Sequence, residues 1–266
     1  MNHCAFNIAL TGAVNRWCMT ERPRSRVQLT ADTLCIGRSG VHWNGQEYQF
    51  ELEERGCPLP RRVRGSVRVR PLLQPGIVYR LDRAGHHLWT PLAPKARVSV
   101  ELREPALSWC GDAYVDSNRG DRALEQDFHG WQWSRATTAH GTTVFYETRH
   151  RHEDAWPLAV RFGRDDTRPI TALPDPVDLP RSGWGIGRRT RSTDPQQTRV
   201  LRTLLDAPFY ARSLLCTRLD DEYALTVHES LDLERFRSRW VQWMLPFRMP
   251  RLQGPQRTDS ASIPAR

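Results

Sequence analysis

The chain has 266 residues, 39% of them hydrophobic, with ten tryptophans and eight phenylalanines. That is enough apolar side chain for one large or two ordinary folded domains, and it excludes a wholly disordered chain. The longest charge-free stretch near the start, residues 1–15, carries several polar residues. It is too short and too polar for a spanning helix of roughly 20 apolar residues, and it lacks the basic start and apolar run of a secretory leader. Net charge is +9 and arginine supplies every basic residue except Lys95. Such a surface suits RNA, an anionic membrane or a genome biased to arginine codons.

In chain order, short alternating runs follow one another. Phe6, Ile8 and Leu10 alternate with Asn7 and Ala9, and Tyr48, Phe50 and Leu52 with Gln49, Glu51 and Glu53. Arg61, Arg62, Arg64, Arg68 and Arg70 are interleaved with Val63, Val67 and Val69, the pattern of a strand with one solvated face; a membrane or partner patch is the alternative. Val98, Val100 and Leu102 form the next run, then Leu158, Val160 and Phe162, then Tyr223, Leu225 and Val227. Gly, Pro, Asn or Asp bounds each run, which predicts many short antiparallel strands in a sandwich or barrel. Residues 173–181 hold three prolines and read as a loop or linker. Val200, Leu201, Leu204 and Leu205 fit helix or strand equally. Leu233, Phe236, Trp240 and Trp243 lie at helical spacing behind Ser230 as a cap. Residues 251–266 read as a disordered tail.

Six cysteines stand at 4, 18, 35, 57, 110 and 216, with no CxxC pair, and are expected to be free and mostly buried. No GxGxxG, HExxH or GxSxG motif is present, and Gly183-Trp184-Gly185-Ile186-Gly187 lacks the phosphate-loop spacing. Two segments carry the chemistry. In a strand, His87 and Trp89 share one face, and so do Tyr114 and Asp116. If both faces meet, an Asp surrounded by aromatic rings is desolvated and stays a proton donor near neutrality, while the rings stabilise a cation. Against this, residues 116–120 also fit a tight turn, and His-x-Trp on a strand also fits plain packing.

These residues resemble the carotenoid 1,2-hydratase (hydroxyneurosporene synthase) family of purple phototrophic bacteria. The resemblance runs through His3–Leu10, Met19–Arg22, Val41–Gly45, Pro60–Gly65, His87-x-Trp89, Tyr114-x-Asp116-x-Asn118-x-Gly120, Trp131–Arg135, Ala207–Ser213, Val227–Leu233 and Leu245–Pro250, in order along the chain. It implies an all-β fold of two packed antiparallel lipocalin-like β-barrels with few short helices, one over residues 1–106, the other over 107–250. It implies hydration of the terminal 1,2 double bond of an acyclic carotenoid such as neurosporene or lycopene, with no redox or metal cofactor. It also places the family's His-x-Trp and Tyr-x-Asp pairs on His87, Trp89, Tyr114 and Asp116, with Asp116 the proton donor. Members carry a further Gly-, Phe-, Ser-, Pro- and Tyr-rich segment before the His-Cys-Ala-Phe-Asn stretch. Here that stretch begins two residues after Met1, so a late-assigned start or a lost strand is expected.

The mechanism expected is electrophilic hydration. Asp116 protonates C2, Trp89 and Tyr114 stabilise the tertiary cation at C1, and water adds there, oriented or deprotonated by His87. Trp131 and Trp133 share a face on a strand and either line a polyene tunnel or pack the core. Arg135 pairs with a buried carboxylate or lies at the surface; His228 and Glu229 have no assigned role. An apolar substrate held in a membrane predicts a peripheral protein on the cytoplasmic side, held by its positive charge. A lipocalin-like isoprenoid carrier without catalysis and a related polyene hydratase or cyclase are the rival readings, and a nucleic-acid binder fits least.

Overall fold

The computed structural model describes residues 3–154, 157–163 and 166–248. The tail expected over 251–266 lies outside the described residues. In chain order, β1 (His3–Leu10) and β2 (Arg16–Pro23) form a hairpin. β3 (Val27–Leu29), β4 (Thr33–Ile36), β5 (Ser39–Trp43), β6 (Tyr48–Arg55), β7 (Arg62–Leu73), β8 (Tyr79–Arg80), β9 (His87–Glu104) and β10 (Leu107–Gly120) build an eight-stranded sheet in the order β10-β9-β7-β6-β5-β4-β3, with β8 paired to β9. After a one-turn helix α1 (Leu124–Asp127) come β11 (Phe128–Thr138), β12 (Gly141–His150), β13 (Pro157–Phe162), β14 (Thr167–Pro169), β15 (Pro176–Leu179), β16 (Arg188–Arg191), β17 (Arg199–Ala207), β18 (Tyr210–Leu219) and β19 (Glu222–Asp232). The chain then enters α2 (Leu233–Arg237) and α3 (Arg239–Arg248). Here the sheet order is β14-β13-β12-β11-β19-β18-β17, antiparallel throughout, and β15 and β16 pair apart from it.

All six alternating runs are strands. Three expectations are corrected. Both large sheets are open among the described residues, ending at β3 and β10 in one and at β14 and β17 in the other, so neither is a closed barrel. The β14 edge is three residues long and ends in Pro169, which has no N–H to offer a further strand. The undecided run at Val200–Leu205 is strand β17, and residues 173–181 are not all loop, since β15 lies within them. The helical spacing near the end gives two helices broken at Ser238. Their cap is Asp232, whose side chain accepts from Arg235 N at 3.0 Å; Ser230 stays in β19.

The chain divides into two compact units. The first comprises Met1–Pro71, Ala96–Ala113 and the segment from Met244; the second comprises Leu72–Lys95 and Tyr114–Trp243. A single cut at 106/107 therefore does not separate them, because β9 and β10 run through both. Along β9 the buried positions are His87, Trp89, Pro91 and Ala93, then Pro94, Ala96, Val98, Val100 and Leu102. The parity flips at Ala93–Pro94, just before the strand leaves one unit for the other after Lys95, so each half turns its own alternate residues inward.

In the first unit Val63 and Val69 of β7 are buried and Arg62, Arg68 and Arg70 are exposed, the solvated face read from the sequence. Gly65 is required there: a Cβ would lie 2.3 Å from Glu101 O, and φ is +149°. Glu54 is buried but satisfied by Arg22 Nη2 at 2.9 Å and Ser39 Oγ at 2.7 Å. Of the cysteines only Cys18 is fully buried, where desolvation raises its thiol to about 11. Cys110 is exposed and the rest are half-buried, so the expectation of mostly buried thiols is corrected; all six are free.

In the second unit the seven-stranded sheet has two unlike faces. Trp131 and Trp133 of β11, Tyr146 of β12, Val160 of β13, and Leu231 and Glu229 of β19 share one face by register. Most of these belong to the main aromatic cluster, with Trp89, Phe128 and Phe162. The opposite face is small and polar: Ser134, Ser213, Thr217, Thr226, His228 and Ser230 are all buried. That face is largely satisfied from above and within, His228 Nδ1 being left without a partner. Arg188 of β16 bonds Ser213 Oγ at 3.1 Å, His228 Nε2 donates to Arg189 O at 2.8 Å, Thr217 and Thr226 pair at 2.6 Å, and Ser230 donates to Gln132 Oε1 at 2.7 Å.

Candidate active site

The site belongs to the aromatic face of the second unit. Trp89 lies near the start of β9 and Tyr114 and Asp116 near the end of β10, its neighbour in the sheet. Residues 116–120 lie in β10, so the tight-turn reading is set aside. Trp89 Nε1 donates to Asp116 Oδ2 at 2.8 Å and Tyr114 OH donates to the same oxygen at 3.0 Å. Both donors end on Oδ2, and Oδ1 receives no hydrogen bond from the described residues.

Rings wall the carboxyl in. Trp89 is fully buried, with Tyr79 at 5.2 Å, Tyr146 at 5.8 Å and Phe162 at 6.3 Å between ring centroids. Tyr114 sits 5.3 Å from Trp133, and the Arg135 guanidinium lies 5.2 Å from the Tyr114 ring. Trp131, half-buried, is 6.0 Å from Tyr146. Trp131 and Trp133 share one face, as their spacing predicted, and Trp133 packs beside Tyr114. Trp133 belongs to the core, and its buried Nε1 has no partner.

Burial raises the Asp116 pKa above the ordinary carboxylate range; the bonds from Trp89 and Tyr114 oppose that shift without cancelling it, Glu229 adds to it and Arg212 opposes it. Burial and the neighbouring carboxyl push the Tyr114 hydroxyl far up, so it keeps its proton and can donate it to Asp116. Glu229 lies opposite Trp133 and opposite Arg212 in register. Arg212 Nη2 meets its carboxylate at 2.7 Å, and Arg212 Nε also reaches the Tyr210 hydroxyl at 3.0 Å. Tyr146 feels both Asp116 and Glu229 and donates to Asn118 Oδ1 at 3.3 Å.

His87 makes its hydrogen bonds with Asp127 and Asp82 rather than with Asp116. It is buried, its Nε2 meets Asp127 Oδ2 at 2.8 Å, its ring lies 4.9 Å from Phe128, and its backbone N donates to Asp82 Oδ2 at 2.6 Å. A Cβ at Gly120 would come within 2.7 Å of Nδ1. Asp127 is half-buried, and its partial desolvation alone would raise it; the bonds from His87 and from Arg122 Nε and Nη2, the last two each at 2.7 Å, hold it below the usual range. The geometry brings together Trp89, Tyr114 and Asp116 and turns the His87 ring to Asp127.

Sequence reasoning gave no role to Asp127, Arg122, Tyr146, Tyr210, Arg212 or Glu229. Three of these had a signal: Tyr210, Arg212 and Glu229 fall in segments of the resemblance.

The chain matches the model of the family described as carotenoid hydratase CrtC over residues 1–258. It is 47% identical to the acyclic carotenoid 1,2-hydratase of Thiocapsa roseopersicina over 96% of its own length and 63% of that protein's, so it spans less than two thirds of that relative. It is 36% identical to the acyclic carotenoid 1,2-hydratase of Rhodobacter capsulatus over 97% of the chain and 92% of that protein. A crystal structure of a Nitrosomonas europaea protein provisionally named AttH aligns with a TM-score of 0.56 and 13% identity, over 82% of this chain and 75% of that one, a likeness of fold.

Proposed function

The chain belongs to the carotenoid hydratase family, and on that premise we propose that it adds water across the terminal 1,2 double bond of an acyclic carotenoid. The observation that carries this reading is the Asp116 carboxyl, raised in pKa, held through Oδ2 by Trp89 and Tyr114 inside a wall of aromatic rings. With Oδ2 engaged, the acidic proton resides on Oδ1 and passes to C2 of the terminal isoprene. The positive charge develops at C1, the more substituted carbon, facing the π systems of Trp89, Tyr114 and the neighbouring rings. Water bonds to C1 and its extra proton returns to the Asp116 carboxylate. One water is consumed, no electrons are exchanged, and the acid is restored. His87 acts as a positioning residue that ties the start of β9 to α1 through Asp127. Trp131 and Trp133 line the approach beside Tyr114. The use of one sheet face as an apolar ligand wall is lipocalin-like, and it suits a polyene.

The substrate dissolves in a bilayer, so we place the protein as a peripheral one on the cytoplasmic face. No helix of the described residues is long and apolar enough to cross a membrane.

The test is conversion in a non-phototrophic host that makes lycopene or neurosporene. The expected result is a product heavier by one water, with Asp116→Asn lowering the yield about a hundredfold or more. Unchanged polyene that co-purifies with the chain would favour a carrier. Full activity in Asp116→Asn would remove the acid from this residue.

A further inference from the structure

Helix α3 presents its apolar stripe to solvent. Trp240, Trp243, Met244 and Phe247 recur at i, i+3, i+4 and i+7, the spacing of one helix face, yet they are 47%, 81%, 39% and 75% exposed. Val241, on another face, is the residue that anchors the helix, at 1% exposed. Trp184, 44% exposed in the turn between β15 and β16, stacks on Trp240 with centroids 6.1 Å apart and planes 26° apart. Arg235 fixes that turn to the helices through the carbonyl of Trp184 and also donates to the Pro208 carbonyl between β17 and β18. Arg237 and Arg239 are exposed beside the stripe, and neither meets a carboxylate among the described residues. From Arg235 to Arg248 the chain has four arginines and no acidic residue.

We propose that α3 and Trp184 form the surface by which this chain docks on an anionic lipid bilayer, with Trp243 and Phe247 entering the boundary between headgroups and acyl chains and Arg237 and Arg239 lying on lipid phosphates. Indole rings have an apolar body and one N–H, which suits that boundary. Charge decides against a second copy of the chain as the occupant. A symmetric contact through this stripe would bring the arginines of two copies together, whereas an anionic surface neutralises them. The purpose of docking rests on the membrane-dissolved substrate proposed above; the surface itself is argued from exposure and charge.

The experiment is flotation of the purified chain with vesicles of phosphatidylcholine alone and of phosphatidylcholine with phosphatidylglycerol. The wild type is expected to float with the anionic vesicles and to favour them by about tenfold or more. Trp243→Ser with Phe247→Ser is expected to lose about tenfold in binding at physiological salt, with an unchanged circular dichroism spectrum. Tyr223→Ser with Leu225→Ser removes two comparably exposed apolar residues of β19 and is expected to bind as wild type. Equal flotation of the α3 variant, equal loss in the β19 variant, or a dimer that only the α3 variant dissociates would each overturn the proposal. Conversion of detergent-dispersed carotenoid is measured alongside. Loss of vesicle binding with conversion intact removes the docking surface and leaves the hydratase; vesicle binding without conversion does the reverse.

Discussion

Asp116 is an acid only while it holds its proton, so activity falls as pH rises through its raised pKa. Two neighbours of opposite sign set where that happens: Glu229 pushes the pKa up and Arg212 pulls it down. Removing the negative charge in Glu229→Gln lowers the Asp116 pKa, and the alkaline limb of kcat/KM moves to lower pH. Removing the positive charge in Arg212→Gln moves it to higher pH. A pH profile of each variant checks the signs; limbs that move together, or not at all, would show that the pair does not tune the acid. Asp116, Trp89 and Tyr114 were legible in the sequence because i, i+2 spacing on a strand puts side chains on one face. Their control was not. Glu229 meets Arg212, and stands opposite Trp133, only through the register of three strands, and no local pattern shows register.

At the scale of the element, β19 was read correctly as a strand, but its alternation did not say which face is buried. Tyr223 and Leu225 were the apolar positions, yet they are 57% and 61% exposed. The buried alternates are Ala224, Thr226, His228 and Ser230, which suit the polar inner face under β16. Alternation reveals period 2 but not which phase is inside when a core is built from hydroxyls and an imidazole. The helix was legible by spacing, and its break was not, because Asp232 caps only the first turns and Ser238 ends them. The buried His228 gives a prediction at this scale. Burial depresses its pKa to about 4 from an ordinary 6.5. The folded state therefore resists protonation, and stability declines as pH falls from about 6.5 toward 4, by on the order of 3 kcal/mol. His228→Gln keeps a side-chain donor for the Arg189 carbonyl but does not titrate. Its thermal midpoint is expected to fall less steeply than that of the wild type over this range, whatever its absolute value. Parallel curves for the two would show that His228 does not contribute to the acid limb.

For the whole molecule, neither the division into units nor the distribution of charge follows from composition. Three strands, β7, β9 and β10, serve both units, and in β9 the crossing is marked by a change of inward parity at Ala93–Pro94. The net charge of +9 likewise suggests a general affinity for anionic surfaces, while the exposed rings of α3 suggest a local one. Salt separates the two. Attraction between the net charge and a bilayer is screened over about 10 Å at 0.1 M salt and about 3 Å at 1 M, whereas burial of aromatic surface is not screened. At low salt, charge alone holds both the wild type and the Trp243→Ser, Phe247→Ser variant on anionic vesicles. As salt rises toward about 0.5 M the variant is expected to leave completely, because only the screened contribution remains to it. The wild type is expected to weaken and then reach a plateau set by its buried rings. Flotation across a salt series reads both curves. Complete release of the wild type at the same salt as the variant would mean that charge alone holds the chain, and a wild type indifferent to salt would mean that its arginines take no part.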